Sequence, residues 1–184
     1  MMSRFYRSSS KRLTGSNAGQ ASVEMAFVVT LLLILICGTI DFGRALNDMQ
    51  VMADLTRQGS NLASRGTSLA EAVQGVVSGE SGLDLVDNGA VIISSVTNNS
   101  GVFTVTGQNS STSDGLTKLS ASSKIGAVNG GATLPSAYTT STLQNGQTVY
   151  VTEVFYTFTA LTPIGALTNS AIQLPSTLYD VAYF

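Results

Sequence analysis

Residues 19–46 read GQASVEMAFVVTLLLILICGTIDFGRAL, and this stretch decides the fold. From Ala21 to Ile40 it holds twenty residues with a single charge, on Glu24. A helix rises about 1.5 Å per residue, so this segment is roughly 30 Å long, the thickness of the hydrocarbon core of a bilayer. Because apolar side chains occupy every side of the helix, it must meet lipid or other apolar helices. The stretch predicts one helix over residues 20–43 that spans a membrane or packs among other apolar helices.

A buried core helix is the alternative for such a segment. The chain has 184 residues, and the apolar sequence outside the stretch is too limited to wrap a helix that is hydrophobic all round. Four basic residues precede the first acid of the chain: Arg4, Arg7, Lys11 and Arg12. By the positive-inside rule, residues 1–19 form a cytoplasmic leader and the long C-terminal part is exported.

The composition of the chain excludes most catalytic designs. There is no His and only one Cys, so Ser-His-Asp and Cys-His pairs, His-containing zinc sites and intrachain disulfides are all excluded. No phosphate-binding glycine motif occurs, and the net charge of −2 argues against a nucleic-acid partner. We therefore expect no enzyme, no catalytic residue, no metal site and no cofactor.

Three kinds of N-terminal segment combine a basic leader with an apolar stretch, and they differ in where a peptidase cuts. An ordinary signal peptide needs an A-x-A-like site after the apolar stretch, which is missing here. A lipoprotein signal needs a small residue before its cysteine, but Ile36 precedes Cys37. The third kind is cut before the apolar stretch, at a Gly that is followed five residues later by a Glu. Gly19 and Glu24 have this spacing.

Glu24 is a carboxylate within an apolar span, which is costly and points by default to a function. A cut after Gly19 would create an α-amino group on Gln20, the natural counter-charge for Glu24 in the same or a neighbouring subunit. The alternative is that Glu24 only marks the membrane interface. Its position alone leaves both interpretations open.

These residues resemble the prepilin class and, more narrowly, the TadE-like pseudopilins of the tight-adherence (Flp) pilus system. The segment from Gly19 to Val28 is similar to the family's G-x-A-x-V-E-x-A signature, and Ile40 to Leu46 to its I-D-x-G-R-A-L signature. Residues 55–59, LTRQG, resemble its A-A-R-x-G helix. Met25 and Asn61 depart from the family pattern.

The resemblance implies a minor pilin or pseudopilin, cleaved between Gly19 and Gln20 by a prepilin peptidase. It implies that Glu24 docks neighbouring pilins or pseudopilins of the same fibre, and that the protein lies in the bacterial inner membrane before assembly. The other residues that match the family motif lie where the helix leaves the membrane and beyond: Asp41, Gly43, Arg44, Arg57 and Gly59. An uncleaved, single-span surface binding protein of adhesin type is the alternative.

After the apolar stretch, residues 44–77 keep apolar residues at helical spacing, which predicts an amphipathic continuation of the same helix. Its apolar positions (Leu46, Met49, Met52, Ala53, Leu55 and Leu62) are expected to pack on the C-terminal domain. Asp41 and Arg44 are three residues apart, so they can pair where the helix leaves the membrane. Glycines at 59, 66 and 75 predict a break after Gln58.

Residues 78–184 predict an exported β-rich domain. Residues 90–96 and 102–106 are rich in β-branched residues and read as a hairpin, residues 148–159 form the strongest strand, and residues 178–184 close the sheet. The predicted fold is α+β, with a long pilin-like helix and an antiparallel sheet of about four strands. The Ser/Thr/Gly-rich insertion at 107–147 is expected to form surface loops rather than core.

Overall fold

The computed structural model describes residues 18–79, 82–138, 142–163 and 175–184. Its helices and strands follow one another in the order α1 (Ala18–Ser64), α2 (Leu69–Ser78), α3 (Leu85–Asn88), β1 (Gly89–Asn99), β2 (Val102–Ser110), β3 (Thr148–Thr157) and β4 (Thr177–Tyr183). The predicted α+β class is confirmed: a long N-terminal apolar helix precedes a four-stranded antiparallel sheet. Residues 1–17 of the predicted leader lie outside the described residues.

Helix α1 runs for 47 residues, about 70 Å, without interruption. The predicted break after Gln58 comes at Gly66, whose φ of 88° lies in the left-handed region that favours glycine. Helix α2 then starts with a capping box: Ser68 Oγ accepts from the Glu71 N–H, and a Glu71 carboxylate oxygen accepts from the Ser68 N–H. Two donors of the first turn are thereby satisfied, which fixes where α2 begins.

The sheet has the strand order β2-β1-β3-β4, with every neighbouring pair antiparallel. The predicted hairpin joins β1 to β2 through Ser100 and Gly101, both with positive φ (54° and 94°), the geometry of a type I′ turn. Asn98 supports the turn, because its Oδ1 accepts from the Gly101 N–H at 2.8 Å. The predicted last strand is β4, and Phe184 continues its pairing to Tyr150.

Helices α1 and α2 cover one face of the sheet. Side chains from the second half of α1, from α2 and from this face of the strands form the main hydrophobic core: Met52, Leu55, Ala63, Ala72, Val73, Val76, Val91, Ile93, Val154 and Leu178. In β3, alternate residues point into this core, as expected for a strand with period two. The prediction that the continuation of the helix packs on the C-terminal domain is confirmed for Met52 and Leu55.

The polar insertion covers the opposite face of the sheet, which corrects the expectation that it forms surface loops rather than core. Residues 107–110 still belong to β2, and the chain beyond them crosses back over β1 and β3. A few apolar side chains spaced along the insertion seal two further core clusters: Leu119, Ala121, Ile125, Leu134 and Leu143. The sheet is therefore the middle layer of three.

The outer edge of β2 is also covered by the insertion. Residues 129–132 run along the strand, where the Val105 N–H donates to Gly130 O at 3.0 Å and the Ala132 N–H donates to Phe103 O at 2.8 Å. An isolated bridge joins Thr104 to Gly131. Backbone groups that an edge strand would otherwise present to solvent are paired within the chain.

Candidate functional site

The first half of α1, residues 19–40, is an apolar shaft that projects from the domain. Most of its large apolar side chains are 43–72 % exposed. Within the described residues, α1 is the one helix that is long and apolar enough to cross a membrane, and its apolar window is not buried by the rest of the chain. The predicted membrane-spanning helix is confirmed as a helix of this length and composition.

The predicted cleavage and docking residues lie at the start of the shaft. Gly19 and Gln20 are exposed in the first turn of α1, and a Cβ added at Gly19 would meet nothing within 4 Å. Glu24 is exposed one turn later, and its Oε1 accepts from Gln20 Nε2 at 3.1 Å. Residues 20 and 24 therefore share one face of the helix.

Asp41 ends the shaft and is the first buried residue of α1 after it, at 1 % exposure. One carboxylate oxygen accepts from the Leu161 N–H at 2.9 Å, and the Thr162 N–H lies 3.3 Å from both oxygens. The Thr162 hydroxyl donates to Oδ2. These donors satisfy a buried charge and tie the helix to a segment 120 residues further along the chain.

Arg44 holds the same segment from one turn further along α1. Its Nη1 donates to Thr159 O at 3.4 Å, and its guanidinium lies 5.7 Å from the centre of the Phe158 ring. The predicted pairing of Asp41 with Arg44 is wrong in its form, because no ion pair joins the two in the described part of the chain. Each instead binds residues 158–162, since backbone groups of that segment reach both side chains.

Gly59 lies where α1 comes closest to the sheet. A Cβ at this position would lie 2.8 Å from Thr152 Cγ2 and Oγ1 and 3.1 Å from Val76 Cγ2. A larger residue fits only if the helix or the Thr152 side chain shifts. Gly43, the other glycine among the predicted family positions, has nothing within 4 Å of an added Cβ.

Two buried hydroxyls on either side of Gly59 complete the contact between helix and sheet, and the sequence analysis did not identify them. Ser60 Oγ is 3.0 Å from both Thr152 Oγ1 and Ala182 O. Thr56 Oγ1 donates to Asp180 Oδ2 at 2.7 Å. From the sequence alone, Thr56 and Ser60 do not indicate this contact, because it depends on the strand residues that they bind.

Arg57 points away from the sheet. It forms an exposed i,i+3 ion pair with Asp54, with Nη1 to Oδ1 at 3.6 Å. Three of the positions predicted to pack on the domain are exposed as well, namely Leu46, Met49 and Leu62, at 36–48 %. The apolar stripe of α1 is therefore wider than the face that the domain covers, because the shaft's all-round apolar pattern continues past Asp41.

A second buried carboxylate, Glu153 of β3, holds the insertion against the sheet and was not predicted. Its Oε1 accepts from the Lys124 N–H at 2.8 Å and the Tyr179 hydroxyl at 3.0 Å, and Ser123 Oγ donates to Oε2. The ammonium of Lys124 lies 3.5 Å from the centre of the Tyr179 ring. Burial, and then the charge of Glu153, raise the pKa of Tyr179 above its ordinary value.

Other charged groups act locally on the surface. Hydrogen bonds from Ser68 lower the pKa of Glu71 at the start of α2. The carboxylate of Asp87, 2.7 Å from Lys118 Nζ, raises the pKa of that lysine. Within the residues that the structure describes, no three His, Cys, Asp or Glu side chains are grouped to hold a metal ion.

Comparison with known proteins bears on this helix. Neither the curated proteins nor the solved structures gave a match to the chain. A protein-family model described as TadE-like protein matches residues 19–61, which is less than half of the chain. The match begins at the predicted cleavage glycine and ends two residues after Gly59, so it spans the shaft, the Asp41 contact and the closest approach to the sheet. Residues 19–61 of this chain are therefore similar to the TadE-like family.

Proposed function

We propose that this protein is a minor pilin or pseudopilin of a Tad (Flp) type pilus, that is, a structural subunit rather than an enzyme. A prepilin peptidase cuts it after Gly19, and the shaft then leaves the lipid to pack among the helices of other pilins or pseudopilins. The leader is cytoplasmic and the β-domain is exported. No cofactor or metal takes part.

The observation that carries this proposal is the exposed shaft with Gly19 and Glu24 at its head. A bare apolar helix of about 33 Å is unfavourable in water, so it needs lipid or neighbouring helices as partners. The domain holds the helix only from Asp41 onward, which leaves the shaft free to change from one apolar environment to the other. The TadE-like match over the same residues supports this reading.

Glu24 supports the docking step. Cleavage would place the new α-amino group on residue 20, whose side chain already reaches Glu24 in the intact chain. An unpaired carboxylate that moves into an apolar fibre core costs several kcal/mol. A counter-charge from the same or a neighbouring subunit removes this cost, and it therefore favours the position of the subunit along the fibre at which the two charges pair.

The mature N-terminus tests the cleavage. Mass spectrometry of the protein from piliated cells is expected to find Gln20 as the first residue. The matched variant is Gly19→Val, which meets no neighbour in the fold and is expected to leave the domain stable while blocking cleavage. An intact leader in the wild-type chain would contradict the proposal and favour an uncleaved, single-span surface protein.

Incorporation into fibres tests the docking. Both Glu24→Ala and Glu24→Gln are expected to be cleaved normally but to be lost from purified pili, because each removes the charge. The control is Asp54→Asn, which removes an exposed carboxylate from the domain half of α1. Normal incorporation of both Glu24 variants would show that Glu24 only marks the interface.

A further inference from the structure

We propose that residues 158–162 form an interface loop that rests on the surface of a phospholipid bilayer, with the Leu161 side chain inserted among the lipids. The partner is the membrane that the shaft crosses. This inference shares with the proposed function only the membrane-spanning shaft, and it requires neither cleavage nor fibre assembly.

The interface loop lies at the level where the shaft ends. The shaft has 22 residues from Gly19 to Ile40, so its length of about 33 Å matches the hydrocarbon core and places Asp41 at the boundary with the headgroups. Since the Leu161 N–H lies 2.9 Å from Asp41 Oδ1, the loop is held at the same depth.

The backbone of the loop runs toward the shaft as it approaches Leu161. Phe158 and Thr159 contact Arg44, whereas Leu161 and Thr162 contact Asp41, one turn closer to the shaft. The chain therefore descends along α1 toward the lipid as it runs from residue 158 to residue 162.

Leu161 is an apolar side chain with no cover from the described chain. It is 70 % exposed, and two large apolar residues at the same level of α1 are exposed as well, Phe42 at 54 % and Ile40 at 45 %. Transfer of a leucine side chain from water to an apolar environment is favourable, and these exposed residues continue into the membrane-crossing shaft. A bilayer covers all three at once.

The charged groups at this level are compatible with the bilayer surface. The Asp41 carboxylate accepts from the loop's own donors, so lipid does not meet an unpaired charge. Arg44, one turn further from the lipid, is exposed and lies at the height where phosphate groups are found, as expected for a long cationic side chain near a helix end.

The chain contains no tryptophan, so a single introduced tryptophan reports on one position. The experiment places the full-length chain in phosphatidylcholine vesicles with lipids brominated at defined depths. The L161W protein is expected to show blue-shifted emission and quenching by bromine near the headgroups. The L33W protein, with its probe in the shaft, is expected to be quenched by bromine near the bilayer centre.

The control for a water-exposed position is V102W, at the start of β2. Val102 is 61 % exposed at the hairpin end of the sheet, a strand length of about 33 Å from the end of β3 that leads to the interface loop. We expect several-fold weaker quenching there than in L161W.

The role of Asp41 is tested by adding Asp41→Ala to L161W and to L33W. We expect Asp41→Ala to abolish the quenching of the tryptophan at position 161 and to leave the quenching of the tryptophan at position 33 unchanged. Equal and weak quenching in L161W and V102W, with L33W quenched, would overturn the interface loop and leave the proposed function intact. An unquenched L33W protein would overturn the membrane-spanning shaft on which both proposals rest.

Discussion

The two halves of α1 belong to one uninterrupted helix but lie in opposite environments. In the shaft, most large apolar side chains are at least 43 % exposed, whereas Met52 and Leu55 in the second half are at most 3 % exposed. The second half obtains its apolar partners from its own domain, whereas the described part of the chain leaves the first half uncovered. One continuous helix can therefore lie in two different environments. In α1 the change from exposed to buried apolar side chains occurs at Asp41, without any break in the backbone.

The largest expected effect is at Gly59, in the buried half. Gly59→Val puts side-chain atoms into Thr152 and Val76, so we expect the free energy of unfolding to fall by about 3 kcal/mol or the domain to fail to fold. The matched control is Gly43→Val, which meets open space. Chemical denaturation of the full chain in detergent, followed by circular dichroism, measures both. Equal effects at the two glycines would break the comparison between the halves.

The two carboxylates Glu153 and Glu24 test the same difference, because Glu153 lies in the domain and Glu24 lies in the shaft. Glu153→Ala leaves three donors of the insertion and β4 without their acceptor, and we expect a loss of about 2 kcal/mol or more in the free energy of unfolding. Glu153→Gln keeps an acceptor and is expected to cost less. Glu24→Ala, in the shaft, should leave the denaturation curve unchanged. A destabilisation by the Glu24 variant would mean that the shaft is part of the folded core.

Alkaline pH is expected to destabilise the domain and spare the shaft. Burial is the main cause that raises the pKa of Tyr156, Tyr179 and Tyr183 above 10.0 in the folded chain. Such a tyrosine stabilises the fold fully below pH 10.0, and this contribution is lost as the pH rises through its folded pKa. Thermal unfolding midpoints should therefore fall above pH 10.0.

The Tyr179→Phe variant provides the check on this pH dependence. It removes one of the raised groups, so its unfolding midpoint should fall less steeply above pH 10.0 than that of the wild-type chain. The shaft contains no tyrosine, and its helical signal in detergent should not change over this range. An unchanged slope in the variant would exclude Tyr179 as a source of the alkaline effect.

The smallest expected effect is at the start of α2, a helix that packs within the domain. Ser68→Ala removes the acceptor of the capping box, and we expect a loss of about 1 kcal/mol in the free energy of unfolding. Ser68→Thr keeps a hydroxyl and should retain most of the stability. A loss of equal size in the threonine variant would point to packing at Ser68 instead of capping.

The elements that could be predicted from the sequence are those set by local pattern. Twenty nearly uncharged residues define the shaft, β-branched runs define the strands, and Ser100-Gly101 closes the hairpin. Gly19 and Glu24 were recognised by their fixed spacing ahead of the shaft. Each of these signals lies within a short window of the chain.

The contacts that were missed join distant parts of the chain. Asp41 was assigned to a neighbour three residues away, but its donors are 120 and 121 residues away. Glu153 has partners in a Ser-rich segment whose composition favours solvent. In that segment the few apolar residues, such as Ile125, follow neither a helix nor a strand period, so nothing in the local pattern shows that they seal a sheet face.

The pairing of residues 129–132 with the edge of β2 has a consequence for crowding. An open edge strand offers its backbone groups to the next copy of the same sheet, which leads to uncontrolled polymerisation. Here the chain fills that edge with its own backbone, at Phe103 and Val105. At these residues, the β2 edges of two neighbouring copies cannot pair into a common sheet, because their backbone groups already have partners within the chain.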